Sequence, residues 1–152
     1  MIQRKQSIYL ILAATMCATA TLTTLFKLEF AGEIFTIQST GLYDSQDELQ
    51  LYPYVLAPLL ITGGLYSLIS ISFFKDRKKQ MKHIRWVAWI TGLANVALLG
   101  FLVISINELG PDAKFKFSVF ALTPFLAFLF SILAYRGVKA DEELIRSVDR
   151  IR

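Results

Sequence analysis

The sequence predicts an all-α membrane protein: a four-transmembrane-helix bundle with both termini inside, a small extracytoplasmic β-hairpin and an amphipathic C-terminal helix. Three observations predict it. First, the 152 residues are 55% hydrophobic and only 18% charged, where ordinary soluble domains carry about 25% charged residues. A 17.2 kDa chain has too little interior to hide that much apolar surface. Second, four runs contain no charged residue, 7–26, 54–74, 86–106 and 117–135. Each is close to the ~20 residues that cross ~30 Å of hydrocarbon. Third, of the 16 Lys and Arg, all but Lys27, Lys114 and Lys116 fall on one side of these runs, the asymmetry that orients helices in a bilayer. The same composition excludes disorder. Cys17 is the only cysteine and His83 the only histidine, so a disulfide scaffold, a His-rich metal site and a bis-histidine haem are excluded within one chain. The length suits a single domain, 1–152.

The first run follows Arg4 and Lys5 and contains Ala18-Thr19-Ala20, a spacing seen at signal-peptidase sites. The apolar stretch continues through Leu22, Leu25 and Phe26, so an uncleaved helix is expected. Met16 before Cys17 argues against a lipoprotein. Ala and Thr dominate residues 13–24, and a Thr hydroxyl can return to its own helix backbone.

In the outer loop, 27–53, Leu28 and Phe30, then Phe35 and Ile37, alternate at period two around Gly32-Glu33, as a tight hairpin requires. Ser45-Gln46-Asp47-Glu48 has capping-box spacing for a short helix ending before Pro53. Glu29, Glu33, Asp44, Asp47 and Glu48 do not follow a calcium-loop spacing. The loop could be a partner-binding or ion-binding cap, but it is expected to shield the outer end of the helices.

Within the remaining runs, small and polar residues recur at helical spacing: Thr62, Tyr66 and Ser70 with Gly63 and Ser67; Ala88, Gly92 and Asn95; Thr123, Ala127, Ser131 and Tyr135. Such faces let helices approach closely in lipid. Pro58 and Pro124 are expected to bend their helices near the outer ends. Asn95 with Tyr66 could contact a small ligand or lipid headgroup, although interhelical packing explains both. The cytoplasmic loop, 75–85, holds Lys75, Arg77, Lys78, Lys79, Lys82 and Arg85, which fix topology or meet lipid headgroups; His83 reads as a solvated loop residue. Tyr52, Tyr54, Trp86, Trp89 and Tyr135 form an interfacial belt.

The cytoplasmic tail, 136–152, reads as a short amphipathic helix with the stripe Leu144, Ile145, Val148 and Ile151. Asp141, Glu142 and Glu143 suit its start, and Arg150 and Arg152 its end. Glu142 and Arg146 form a favourable pair four apart. Its acids oppose docking on anionic lipid, so a protein contact is expected.

Pumps and proton relays need ionisable groups in the membrane, and the four runs have none. Neither a nucleophile–base–orienter set nor a glycine-rich phosphate loop is visible. The net charge of +4 is a topology signal, so no nucleic acid is expected, nor a cofactor or metal. The expected function is that of a non-enzymatic accessory or scaffold subunit of an inner-membrane complex, in contact with membrane lipids and other membrane subunits. The alternative is a carrier or binder of a small molecule or lipid within the helices.

The two ends, MIQRKQSIYL at residues 1–10 and DEELIRSVDRIR at 141–152, resemble the terminal signatures of a family of small inner-membrane proteins of the Bacteroidota, domain of unknown function 4293. Lys5 stands where an apolar residue such as Ile is expected. The resemblance covers the whole chain and implies a bacterial inner membrane and no particular activity. The layout of helices and hairpin also looks like that of claudin-type proteins, without their outer-loop tryptophan and cysteine pattern.

Overall fold

The computed structural model describes residues 3–74, 76–110 and 112–149. In chain order they form α1 (Gln3–Leu22), β1 (Phe26–Phe30), β2 (Glu33–Ile37), β3 (Leu42–Tyr43), β4 (Leu49–Leu51), α2 (Leu56–Ser72), α3 (Arg77–Leu109), β5 (Lys114–Phe117), a 3-10 turn (Val119–Leu122) and α4 (Thr123–Asp149). Each helix packs on two others, in the cycle α1, α2, α3, α4.

The strands overturn the expected all-α architecture. They form one antiparallel sheet in the order β4-β3-β2-β1-β5. The expected hairpin is its middle pair, with Leu28 opposite Phe35. Its turn lies one residue earlier than expected, at Ala31 (φ 53°) and Gly32 (φ 85°), the two positive φ values that a twist-matched two-residue turn needs. The fifth strand comes from the connection between α3 and α4, where Leu28 also pairs with Phe115 and Phe26 with Phe117. A salt bridge of 2.7 Å joins Glu29 to Lys116 across that pair, and the ammonium of Lys116 holds the Glu29 carboxyl below its ordinary range.

The expected helix at 45–48 is a turn instead. Asp44 Oδ1 accepts from the Gln46 and Glu48 amides at 2.8 and 2.9 Å, and those amides keep its carboxyl below the usual range, Glu48 foremost. An aspartate that captures amides two and four residues on offers the backbone a turn in place of a helix.

The helices also depart from the expected four spans. Two are long and apolar enough to cross a membrane: α3, 33 residues, and the stretch Val119–Ile145, 27 residues, which contains the 3-10 turn and most of α4. The apolar helices Gln6–Leu22 and Leu56–Ser72 are no longer than 17 residues. The first run is cut short because Phe26 belongs to β1, the fourth because Phe117 belongs to β5. The expected cytoplasmic loop is mostly helix: Asp76 caps α3, its side chain accepting from the Lys79 amide at 3.1 Å, and the following Lys, Arg and Gln are good helix formers. The expected separate tail helix is the unbroken end of α4. Pro58 and Pro124 occupy first turns, where proline displaces no intrahelical bond and needs no bend.

The sheet is tied to the helices by one cluster that includes Leu25, Leu28, Ile37, Leu42, Leu56 and Leu98, all buried. Ser39 and Ser118 hydroxyls donate to the carbonyls of Thr21 and Thr24 at 2.9 and 3.0 Å, closing the polar backbone where α1 gives way to β1. The sheet therefore sits at one end of the helices. The start of α1, the turn between α2 and α3, and the end of α4 lie at the other.

Candidate functional site

At the end away from the sheet, four helices bring polar side chains into a buried layer. Gln6 of α1 and Asp141 of α4 are 4% and 6% exposed, and the Gln6 amide donates to the Asp141 carboxylate. Arg77 Nη1 donates to the Asp141 carbonyl at 3.3 Å. Buried Gln80 donates to the Ser70 carbonyl at 3.4 Å, and Ser70 donates to that of Tyr66 at 2.7 Å. A Cβ on Gly137 would lie 3.1 Å from Gln6 Cγ, so α4 needs a residue without a side chain where Gln6 crosses it.

His83 belongs to this end and is not a solvated loop residue. It lies on α3, with its ring stacked on Phe73 at 4.2 Å and its Nδ1 2.7 Å from the Tyr66 hydroxyl. Among the described residues no third polar side chain is hydrogen-bonded to this imidazole–phenol pair, so it lacks the orienting group a catalytic set needs.

The residues expected to pack helices are found between them. Asn95 is half-buried, and its amide donates to Thr91 O at 2.8 Å and to Pro124 O at 3.0 Å. It thus ties α3 to the first turn of α4. A Cβ on Gly92 would lie 3.3 Å from Phe128 Cε2, and one on Gly63 would lie 3.2 Å from Thr91 Cγ2. Ser67, Ala127 and Ser131 are fully buried and Thr123 nearly so; Ala88 is half-buried. The Ser67, Ser131 and Thr91 hydroxyls return to their own helices, as do those of Thr15, Thr19, Thr21 and Thr23 in or just after α1. Tyr66 and Asn95 are not brought together, since one meets His83 and the other Pro124.

Replacing Asn95 by Leu is expected to lower stability by about 1 kcal/mol, the size of a hydrogen bond between membrane helices, while leaving the fold intact. Thermal unfolding in detergent measures it. No change would mean that the Pro124 contact contributes nothing.

Of the expected partner stripe, Leu144 and Ile145 are 59% and 43% exposed, and Glu142 is half-buried. Arg146 and Val148 lie on α4 with side chains outside the described residues, and Ile151 lies outside them altogether, as does Lys75. Of the expected basic residues, Arg77 is half-buried over Asp141, while Lys78, Lys79, Lys82 and Arg85 are exposed. Among the described residues no group of three or more His, Cys, Asp or Glu could hold a metal ion. Two apolar cavities open at the surface: one of about 290 Å³ between α1 and α2, the other of about 450 Å³ beside Tyr52, Tyr54 and Gly100.

Nothing local in the sequence marks Gln6, Gln80 and the Tyr66–His83 pair as parts of one site. The legible signal was Asp76, whose capping of α3 places Gln80 and His83 on a helix.

These features define a helical protein with two membrane-length helices, capped by a sheet at one end and laced by polar side chains at the other. The chain belongs to the family described as a domain of unknown function (DUF4293), whose model matches residues 2–151. No curated protein matches it.

Proposed function

We propose that this is an integral membrane protein without a catalytic centre of its own, an accessory or scaffold subunit of a larger assembly in a bacterial inner membrane. The observation that carries the membrane reading is an inverted distribution of polarity. Ser67, Ser70, Thr91, Ser105 and Ser131 are buried between the helices, while Leu65, Leu93, Val96, Leu99, Val103 and Phe125 are 53–66% exposed on the outside. Water would penalise such an apolar belt, and hydrocarbon favours it. In this reading α3 and α4 are the membrane-length helices, and the shorter α1 and α2 run beside them between the same two faces.

The polar end carries Arg77, Lys78, Lys79, Lys82, Arg85, Arg136 and Lys139, and so faces the cytoplasm with both termini, by the bias of bases toward that side. The sheet then lies outside. In a Cys17→Ala background, Ser45→Cys is expected to react with an impermeant maleimide in intact spheroplasts and Ser147→Cys is not; the reverse pattern overturns the orientation.

The scaffold reading is supported by the close approaches between helices at Gly63, Gly92 and Gly137 and by Leu144 and Ile145, exposed where α4 runs past the charge-free stretch. Pairing Leu144→Asp with Ile145→Asp is expected to leave the protein resistant to carbonate extraction and to release the subunit that co-purifies with the wild type from its native membrane. Retention of that subunit at wild-type ratio would sink the contact.

A further inference from the structure

Near its start, α3 carries four exposed side chains close together. Lys82, Arg85, Trp86 and Trp89 follow one another at i, i+3, i+4 and i+7, so they lie along one side of the helix. They line a cleft of about 340 Å³. Trp86 and Trp89 are 54% and 70% exposed, too open to serve as core. Arg85 is steadied by α4: its Nη2 donates to the Tyr135 hydroxyl at 3.4 Å, and its guanidinium carbon lies 5.7 Å from the centre of that ring. Among the described residues neither Lys82 nor Arg85 has a carboxylate partner; Asp76 pairs with Lys79 and Glu143 with Lys139. The cleft is thus positively charged at one end and aromatic at the other.

We propose that this cleft binds the phosphate of an anionic phospholipid, Lys82 and Arg85 meeting the phosphate oxygens and the indoles of Trp86 and Trp89 meeting the glycerol and first methylenes. The assignment rests on the membrane reading above and adds a site to it. Three features select this occupant. The bases end where the charge-free stretch of α3 begins, at Trp86, so the cleft straddles the level at which lipid phosphates sit. From Lys82 to Trp89 the helix rises about 10 Å, comparable with the several ångströms of headgroup region on each side of a bilayer. A soluble anion would use the bases and leave two large indoles bare, whereas a lipid covers both. Among the described residues no acid lines the cleft to hold the amine of a zwitterionic headgroup, which favours a lipid with net negative charge. Bases at such a level attract anionic lipid, and indoles settle at the same depth.

Trp86 and Trp89 are the only tryptophans of the chain, so its indole fluorescence reports on this cleft alone. The test uses full-length protein in phosphatidylcholine vesicles doped with either brominated phosphatidylglycerol or brominated phosphatidylcholine at equal mole fraction. Bromine quenches indoles in contact with the labelled chain. Preferential occupancy by the anionic lipid is expected, on the order of tenfold for two bases near the surface. Combining Lys82→Gln with Arg85→Gln is expected to abolish the preference, and Arg85→Lys to retain most of it. Equal quenching by both lipids, or an undiminished preference in the double variant, overturns the site. Reversal of the quenching by inorganic phosphate would assign the cleft to a free anion and overturn the lipid assignment. Absence of quenching by either lipid would instead sink the membrane reading itself.

Discussion

Leu28→Ala is expected to cost about 2–5 kcal/mol, as truncation of a fully buried leucine does when the cavity cannot collapse. Leu28 has no exposed surface. It stands between Phe35 on β2 and Phe115 on β5, and its side chain joins the cluster that fixes the sheet on the helix ends. The helices make their own contacts with one another, so the loss should fall on the sheet first. Chemical unfolding in detergent measures the size. Hydrogen exchange shows its place: amides of residues 26–51 should open while those of α3 remain protected. Lys27→Ala, at the exposed neighbouring position, is the control and should change stability by less than about 0.5 kcal/mol. A Leu28→Ala variant as stable as that control would mean that the sheet is not anchored through this cluster.

Gln6→Leu and Asp141→Leu are each expected to lose about 1–3 kcal/mol, because each leaves the other's buried polar group without its partner. The double variant is expected to be more stable than the sum of the two losses implies, since two leucines leave neither group orphaned. The cycle, read by thermal unfolding in detergent, should therefore return a coupling well above the error. Additive losses would show that the two side chains do not hold α1 and α4 together. Both residues are nearly excluded from solvent, so the pair keeps the chain's two end helices side by side where the apolar face of α4 gives way to its charged end.

Much of the helical part was legible because its cause is local. The charge-free run 86–106 lies wholly inside α3, and 54–74 contains all of α2. A run of apolar residues cannot leave backbone amides unpaired away from water, and a helix satisfies them without help from elsewhere. The boundaries were less legible. Asp76 is a good helix cap by residue type, but the bases after it carry a topology signal that obscures their helix propensity. Phe26 and Phe117 look like the ends of apolar runs; they become strand residues only because they face each other across β1 and β5.

The candidate site was legible in parts. Asn95 and Gly92 were found by their helical spacing, and their neighbours Pro124 and Phe128 lie one helix away. The buried layer of Gln6, Gln80 and Asp141 was not found, since three polar residues far apart in the chain acquire a common environment only when their helices pack. His83 was misplaced for the same reason: its partners, Tyr66 and Phe73, lie on the preceding helix and the turn after it.

The sequence by itself determined that the chain would form long apolar helices, that its bases would gather at one end of them, and that Leu28, Phe30, Phe35 and Ile37 would make a hairpin. These follow from hydropathy, charge and period-two alternation, which are properties of short windows. Only the tertiary structure decided that the hairpin would gain β5 and become a five-stranded sheet. Strand pairing is satisfied by any edge of suitable register, and Lys114–Phe117 is too short to declare itself without β1 beside it. Packing likewise decided the apolar lengths of α1 and α2, because the sheet draws the chain at the ends beside it into strands and connecting loops. It also decided that Arg85 would rest on Tyr135 beside two open indoles, where one helix supplies the groups and its neighbour holds one of them in place.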